Sequence, residues 1–185
     1  MREERIREWE KGSANPIPDS KYERYKEKLV ELSKEYPERN LMLFLLARAT
    51  GYRMQDIITL TVGEIKDALD KGYFEIQEQK QYKQWQSEVV KNPNRRKPKK
   101  RIAEIGPALE RHLKQYLKGK KRAEFAFPSR KGKGNEALTQ KSFSDKLKEV
   151  GEAIGLEHIT GHSPRKTYAT KIYNETNGNL EAVRI

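Results

Sequence analysis

The feature that most constrains this chain is a short apolar run, residues 41–49, followed at once by Thr50 and Gly51. Its length predicts a buried core helix closed by a glycine C-cap, because a membrane span needs about 18 or more apolar residues in a row. The run stands out here, since 35% of the residues are hydrophobic and 36% are charged. The chain is therefore expected to fold around one buried helix and to have no membrane span.

Residue spacing predicts further helices and one pair of strands around this helix. Apolar and aromatic residues recur every three or four positions after Tyr22, and Pro107, Thr139 and Ser163 are typical of helix starts. The predicted fold is mainly α with a small antiparallel β-hairpin, an α+β class. The predicted helices cover residues 22–36, 41–49, 54–60, 107–117, 139–154 and 163–176, another is capped by Asn179, and the strands cover 73–77 and 101–105.

The domain organisation follows from the length and from the first residues. A chain of 185 residues fits one domain, or one domain and a small appendage. Residues 1–20 are charged and then rich in prolines and turn-forming residues, which predicts an N-terminal arm or linker. Residues 21–185 are predicted to be the domain itself.

Charge and cysteine content narrow the possible functions. The 39 lysines and arginines exceed the 27 acidic residues, giving a net charge of +12, which favours a polyanionic partner such as nucleic acid. The competing interpretation is a protein with many surface lysines and no such partner. The absence of cysteine excludes disulfides, zinc-thiolate sites and a cysteine nucleophile. The N-terminus has no apolar signal-peptide segment, so we expect a cytoplasmic protein.

The tip of the predicted hairpin is strongly basic. Residues 80–101 contain nine lysines and arginines, and a second basic loop follows residue 129. Two interpretations stay open for the tip: a surface that contacts DNA phosphates, or a solvated, disordered charge run. The residues predicted to bind DNA are Lys91, Arg95, Arg96, Lys97, Lys99 and Lys100 in the tip and Arg130, Lys131 and Lys133 in the loop.

Three local patterns contain the residues best suited to chemistry. Residues 50–60 have the sequence TGYRMQDIITL, residues 74–80 have FEIQEQK, and residues 162–170 have HSPRKTYAT. In the last pattern His162 and Arg165 are three positions apart, so they point the same way at a helix start. The order of the three patterns along the chain is more specific than any one of them.

Together these patterns resemble the catalytic domain of tyrosine recombinases, the integrase family of phages and transposons. Residues 50–60 match the family's first box, Thr-Gly-x-Arg-x-x-Glu/Asp-x-x-x-Leu. Residues 162–170 match its second box, His-x-x-Arg-(His/Lys)-Thr-(Phe/Tyr)-(Ala/Gly)-Thr. The likeness covers residues 15–185 and is greatest to small integrases of Gram-positive bacteria and their phages. It implies the DNA breaking-rejoining fold of that family.

The resemblance also implies roles for individual residues. Arg53 and Arg165 would clamp the scissile phosphate, which suits the planar, permanently charged guanidinium group. His162 would donate a hydrogen bond to the phosphate, and Lys80 would protonate the departing 5′-oxygen, with Lys83 and Lys97 as alternatives to Lys80. The cations are side chains, so no metal and no cofactor are expected.

The family's nucleophile is a tyrosine that forms a 3′-phosphotyrosine, and it follows a third box. Residues 181–185 resemble the segment just before that box, so the chain is expected to be truncated before its nucleophile. Tyr168 and Tyr173 are expected to be packing residues. The resemblance therefore predicts a chain that binds duplex DNA without cutting it, monomeric alone and part of a nucleoid-associated tetramer on DNA when complete.

Two other hypotheses remain at this point. A non-catalytic DNA-binding regulator could use the same fold, and its operator binding would survive the substitution Arg53→Ala. An unrelated basic helical module could bind RNA or a ribosome, and it would have no anion site at Arg53 and Arg165.

Overall fold

The computed structural model describes residues 13–131 and 134–183, which form α-helices around a central helix and one two-stranded sheet. A short 3₁₀ turn at Asp19–Lys21 precedes the first helix. The helices are α1 (Tyr22–Leu32), α2 (Pro37–Thr50), α3 (Met54–Ile58), α4 (Val62–Lys71), α5 (Gln79–Val89), α6 (Pro107–Tyr116), α7 (Gln140–Ala153), α8 (Ser163–Glu175) and α9 (Leu180–Val183). The strands are β1 (Tyr73–Ile76) and β2 (Arg101–Glu104). The mainly helical fold with a small antiparallel sheet, predicted from the sequence, is confirmed.

Helix α2 is the centre of the core. Pro37 lies in its first turn, where a missing N–H is tolerated, and Gly51 ends it in the left-handed conformation at φ 61°. Most of its side chains are buried, and it packs against α1, α3, α6 and α8. The predicted buried helix with a glycine C-cap is therefore present, and it begins four residues earlier than expected because Pro37 starts the helix.

The two strands form the predicted hairpin. They pair antiparallel with Phe74 opposite Ala103, and Phe74 is buried against the core. The Tyr52 hydroxyl donates to the backbone carbonyls of Phe74 (3.2 Å) and Arg101 (2.6 Å). This side chain therefore fixes both strands to the segment that follows α2.

The tip of the hairpin begins with helix α5, which was not predicted from the sequence, and contact of the tip with DNA stays a prediction. The Trp85 ring packs against Tyr82, its indole N–H donates to the Arg95 carbonyl at 3.0 Å, and Lys97 lies over the Tyr82 ring. None of the side chains of α5 is buried. The tip is thus ordered mainly by contacts within itself and is not anchored in the core.

Helix α4 was not predicted from the sequence. It begins with a capping box, in which the Thr61 hydroxyl accepts from the Glu64 N–H and the Glu64 carboxylate accepts from the Thr61 N–H. Val62, Ile65 and Ala68 supply its buried face. The Thr-x-x-Glu spacing before an apolar pattern is the signal that could have revealed it.

Residues 13–20 lie against the domain. Ile17 is buried, and its N–H donates to the Thr167 hydroxyl at 2.8 Å. The Asn15 N–H donates to the His158 carbonyl at 3.0 Å. The described part of the predicted arm therefore packs on the body, and residues 1–12 lie outside the described residues. In the part of the chain that the structure describes, no helix is both long and apolar enough to cross a membrane.

Candidate functional site

Three arginines from distant parts of the chain surround one buried carboxylate. Arg53 Nη1 lies 2.5 Å from Glu78 Oε2, and Arg165 Nη1 lies 3.0 Å from Glu78 Oε1. Arg101 Nη1 is farther from the same Oε1, at 3.8 Å. The side chain of Glu78 is 3% exposed, whereas those of the arginines are 17–25% exposed. Arg53, Arg101 and Arg165, called the arginine cluster below, thus form a positively charged site at the surface, with the Glu78 carboxylate buried among them.

The glycine cap of α2 brings the arginines together. Arg53 is the N-cap residue of α3, two positions after the left-handed Gly51. Arg165 is in the first turn of α8, which packs against α2. The Gly51 carbonyl accepts from Arg165 Nη1 (2.8 Å) and from Arg101 Nη1 (2.9 Å). The first box, the second box and the returning strand therefore meet at one peptide group.

Arg101 is a positioning residue in this arrangement. Besides the Gly51 carbonyl it binds the Thr50 carbonyl through Nη2 at 2.6 Å, and its guanidinium lies over the rings of Tyr52 and Tyr168. Burial lowers the pKa of Arg101, and the nearby Arg165 lowers it further. Its donors are mainly directed at backbone carbonyls, so Arg101 fixes the end of α2 and adds positive charge behind the other two arginines.

Glu78 is the charge partner of the cluster. Burial by itself would raise the pKa of its carboxyl group, but the hydrogen bond from Arg165 and the ion pair with Arg53 outweigh burial, so the pKa lies below its usual value. Glu78 is therefore ionised near neutral pH. Its two oxygens are bound by different arginines, as two oxygens of a phosphate group could be.

Asp56 lies beside the cluster and holds the start of α5. Its Oδ1 accepts from the Gln79 N–H at 3.0 Å, while its buried Oδ2 has no hydrogen-bond partner within the described residues. Burial raises the pKa of Asp56, against the lowering effect of the Gln79 hydrogen bond. Through this hydrogen bond Asp56 fixes the residue next to Glu78.

The other predicted catalytic residues are exposed at the surface. His162 is the exposed N-cap residue of α8, three positions before Arg165. Lys80 is exposed in the first turn of α5, two positions after Glu78. Lys83 is exposed one turn further along α5, and Lys97 is held over the Tyr82 ring at 5.1 Å. The structure thus brings Arg53 and Arg165 onto one carboxylate, while the choice among the lysines stays a prediction.

The basic residues predicted to bind DNA are exposed. In the tip, Arg95 pairs with Glu88 at 2.5 Å and Lys100 pairs with Glu75 at 3.4 Å. Arg130, in the second loop, pairs with Glu35 at 2.8 Å. The remaining exposed cations of this set are Lys91, Arg96, Lys97, Lys99 and Lys131, and Lys133 lies outside the described residues.

Sequence reasoning missed the roles of Glu78 and Arg101. Both stand at strand ends, Glu78 two residues after β1 and Arg101 as the first residue of β2. A charged residue at a strand end is usually solvated, so neither position indicated burial. Their location in the hairpin that was expected to contain the catalytic lysine was the one indication that they lie near the site.

Comparison with known proteins agrees with this arrangement of boxes. The sequence model of the Phage integrase family matches residues 22–183. The chain is 26% identical over 148 residues to the probable integrase/recombinase YoeC of Bacillus subtilis (strain 168), a match that covers 80% of this chain and 70% of the relative.

Similar folds are found among solved recombinase structures. The XerH site-specific recombinase bound to difH substrate matches with a TM-score of 0.63 and 20% identity, over 92% of this chain and 45% of that one. The Tn1549 transposon integrase in complex with a circular intermediate DNA matches with a TM-score of 0.65 and 12% identity, over 95% and 58%. The integrase from mycobacterium phage Brujita matches with a TM-score of 0.61 and 16% identity, over 96% and 50%.

The two kinds of comparison establish different things. At these identities the solved structures establish the fold alone, and this chain spans about half the length of each of them. The family match extends over most of the chain and includes both boxes that supply the arginine cluster. The chain therefore belongs to the phage integrase family, and its fold is that of a tyrosine recombinase catalytic domain.

Proposed function

We propose that this chain is the phosphate-binding catalytic domain of a site-specific DNA recombinase, acting on duplex DNA. The observation that carries the proposal is that Arg53 and Arg165 bind the two oxygens of one carboxylate. A phosphodiester also presents two charged oxygens, and a pair of guanidinium groups can bind them through charge-assisted hydrogen bonds. The relatives bound to DNA in their solved structures support duplex DNA as the partner.

The arginines would act by charge stabilisation. Phosphoryl transfer spreads negative charge over the equatorial oxygens, and preorganised cations stabilise that charge without reorganisation during the reaction. Arg53 is positioned at the start of α3 and Arg165 in the first turn of α8, and Arg165 is also fixed by the Gly51 carbonyl. The clamp is thus built on rigid helices of the core.

His162 and Lys80 would handle protons at the edge of the clamp. His162 is exposed at the start of α8 and would donate a hydrogen bond to the phosphate. Lys80 would protonate the leaving 5′-oxygen, and its position on α5, outside the core, lets it approach DNA from the hairpin side. Lys83 and Lys97 are the alternatives that substitution to Met or Gln would compare.

The exposed basic tip would add phosphate contacts that are independent of base sequence. Arg96 and Lys99 are exposed, and α5 and Trp85 hold the surrounding segment in an ordered shape. An ordered basic surface loses less conformational entropy on binding than a disordered one. We propose that the tip lies along the DNA backbone beside the arginine cluster.

We propose that the 185 residues bind DNA without forming a covalent adduct. The complete reaction would join DNA to a tyrosine; of the two tyrosines of α8, Tyr168 is half-buried, whereas Tyr173 is 42% exposed and is therefore the one to test. The Tyr168 ring lies against Gly51, and the Tyr173 hydroxyl lies against Gly178. An assay for protein–DNA adducts that resist denaturation should give none with this chain, and adduct formation lost in Tyr173→Phe would contradict the proposal.

The experiment that tests the proposal is DNA binding by arginine variants. Fluorescence anisotropy with a labelled duplex should show that Arg53→Ala and Arg165→Ala each weaken binding by about tenfold or more, as expected for hydrogen bonds to charged groups. Arg111→Ala is the matched control, since Arg111 is exposed on α6 and its loss changes the net charge equally. Equal effects in all three variants would mean that the cluster is not the phosphate site.

A further inference from the structure

The carboxylate of Glu78 stands where the proposed function needs a phosphate. It meets Arg53 with one oxygen and Arg165 with the other, and Arg101 lies 3.8 Å behind. We propose that Glu78 is a built-in competitor of the scissile phosphate, which fills the arginine cluster in the DNA-free chain and must leave when DNA binds. This proposal rests on the proposed function of Arg53 and Arg165.

The Glu78 carboxylate and a DNA phosphate cannot occupy the arginine cluster together, because they need the same donors and both are negatively charged. Glu78 already takes Arg53 Nη1 and Arg165 Nη1, which face the floor of the cluster. A phosphate at the same donors would bring a second negative charge within a few ångströms of the carboxylate, and like charges at that distance repel strongly at a partly buried site. Exchange of one anion for the other leaves the charge of the cluster unchanged, so the exchange is electrostatically balanced.

Glu78 is also placed where it can move. It lies two residues after Ile76, the last paired residue of β1, and is the N-cap residue of α5, a helix with no buried side chains. The tip stays ordered by its own contacts, such as the hydrogen bond from Trp85 to the Arg95 carbonyl. Besides the arginines, hydrogen bonds from Gln79 to Asp56 and to Thr59 hold this turn. Withdrawal of Glu78 therefore requires no opening of the apolar core.

Displacement of Glu78 would also move Lys80, the proposed general acid. Lys80 lies two residues after Glu78 on the same segment. A displacement of Glu78 by phosphate would move the first turn of α5, and with it the lysine proposed to protonate the leaving oxygen. Phosphate binding would then couple to the placement of the general acid.

The opposite role for Glu78 makes the opposite prediction. A carboxylate that only orients the arginines for phosphate would be a positioning residue, and its removal would weaken DNA binding. With a competitor, the association constant for DNA is multiplied by the fraction of time in which the cluster is free. Its removal would strengthen DNA binding.

The test is the affinity of Glu78→Gln for a labelled duplex of mixed sequence, measured by anisotropy at constant ionic strength. Glu75→Gln is the matched control, because it removes the same charge from the exposed Glu75 of β1, three residues away. We expect Glu78→Gln to bind about tenfold more tightly than the wild type, the factor for a cluster occupied about 90% of the time. An affinity no greater than that of Glu75→Gln overturns the proposal.

The same substitutions in an Arg53→Ala background separate the two proposals. If Glu78 competes for the phosphate site, the gain from Glu78→Gln becomes smaller when Arg53 is absent, because only Arg165 then binds both anions, and a double-mutant cycle measures this as coupling. If Arg53→Ala weakens binding but Glu78→Gln does not strengthen it, the phosphate site stands and the competitor is refuted. If neither substitution differs from its control, the phosphate site itself is refuted, and the competitor with it.

A second variant keeps the test decisive if Glu78→Gln does not fold with three uncompensated arginines. Glu78→Asp keeps the charge and shortens the side chain by one methylene, so it weakens the contact with Arg53 and Arg165. We expect Glu78→Asp to bind DNA more tightly than the wild type by a few-fold. Unchanged or weaker binding by a folded Glu78→Asp protein overturns the proposal.

Discussion

Gly51 and Tyr168 are in direct contact, and this contact joins the two boxes of the family. A Cβ atom on residue 51 would lie within 3.0 Å of three atoms of the Tyr168 ring. Residue 51 also has a φ of 61°, which L-residues with side chains rarely adopt. The first box therefore has glycine here for two independent reasons, and the second box supplies the ring that fills the space.

The substitution Gly51→Ala should destabilise the protein strongly. The left-handed backbone conformation costs about 1–2 kcal/mol with an alanine, and the clash with the Tyr168 ring adds about 1–3 kcal/mol. Chemical denaturation followed by circular dichroism would measure the sum as a fall in the free energy of unfolding. The Gly51 carbonyl also accepts a hydrogen bond from Arg165, so we expect DNA affinity to fall as well.

Gly72→Ala is the matched control for this prediction. Gly72 has the same role at the end of α4, with φ 81°, but nothing lies within 4 Å of its added Cβ. Gly72→Ala should then lower the free energy of unfolding only by the cost of the left-handed conformation, about 1–2 kcal/mol. Equal destabilisation by the two substitutions would show that the contact with Tyr168 contributes nothing.

Thr167 should prove important for attachment of residues 13–20. Its buried hydroxyl accepts from the Ile17 N–H and donates to the Ser163 carbonyl, both at 2.8 Å. In Thr167→Val the shape is kept but the Ile17 N–H loses its partner, which should cost about 1–3 kcal/mol of unfolding free energy. Hydrogen exchange at Ile17 should accelerate.

Thr170→Val tests whether this effect belongs to the buried hydroxyl. Thr170 is exposed on the same helix, so the same change there should alter the unfolding free energy by less than about 0.5 kcal/mol. A similar loss in both variants would mean that the loss does not come from the buried hydroxyl of Thr167, and helix propensity would not explain it, because threonine and valine have about equal propensities.

Residue spacing predicted the parts of the fold that depend on local patterns. The buried α2 with its glycine cap, the hairpin of β1 and β2, and helices α6 to α9 all follow from periodicity, prolines and capping residues. Helix α5 did not, because it is stabilised by a contact between Trp85 and Arg95, ten residues apart, in a segment dominated by charge.

The sequence was sufficient to identify two arginines of the candidate site but not the carboxylate that they bind. Arg53 and Arg165 were identified by the boxes around them, and their predicted catalytic role stays a prediction. Glu78 was not identified, because its burial depends on three arginines that are 23–87 residues away in sequence. Only tertiary structure shows that a carboxylate at the end of a strand faces inward.

The lowered pKa of Glu78 predicts how stability changes with pH. A carboxyl whose pKa is lower in the folded than in the unfolded chain stabilises the fold above its unfolded pKa, near 4.5, and this contribution is lost as pH falls through the folded pKa. The unfolding free energy of the wild type should therefore fall more steeply below pH 4.5 than that of Glu78→Gln. Thermal unfolding between pH 3 and pH 7 would show it, with Glu75→Gln retaining the wild-type slope.

Asp56 should act in the opposite sense. Burial raises its pKa in the fold, so its charged form is disfavoured there, and this penalty disappears as pH falls and the group is protonated. Asp56→Asn keeps an oxygen that can accept from the Gln79 N–H and removes the buried charge. The variant should therefore lose more stability than the wild type on acidification, and a smaller loss would contradict this assignment.

The basic tip should set the salt dependence of DNA binding. If Arg96 and Lys99 each contact a phosphate, the double substitution to alanine should reduce the slope of log affinity against log salt by about 2 and weaken binding at low salt. Removal of Arg111 and Lys118, two exposed cations of α6 and the turn that follows it, is the matched control and should change the slope by less than about 0.5. Anisotropy titrations over a range of salt concentrations measure the slope directly. If both double variants change it equally, the tip contributes only general charge, as expected for a solvated charge run that is not bound along the DNA.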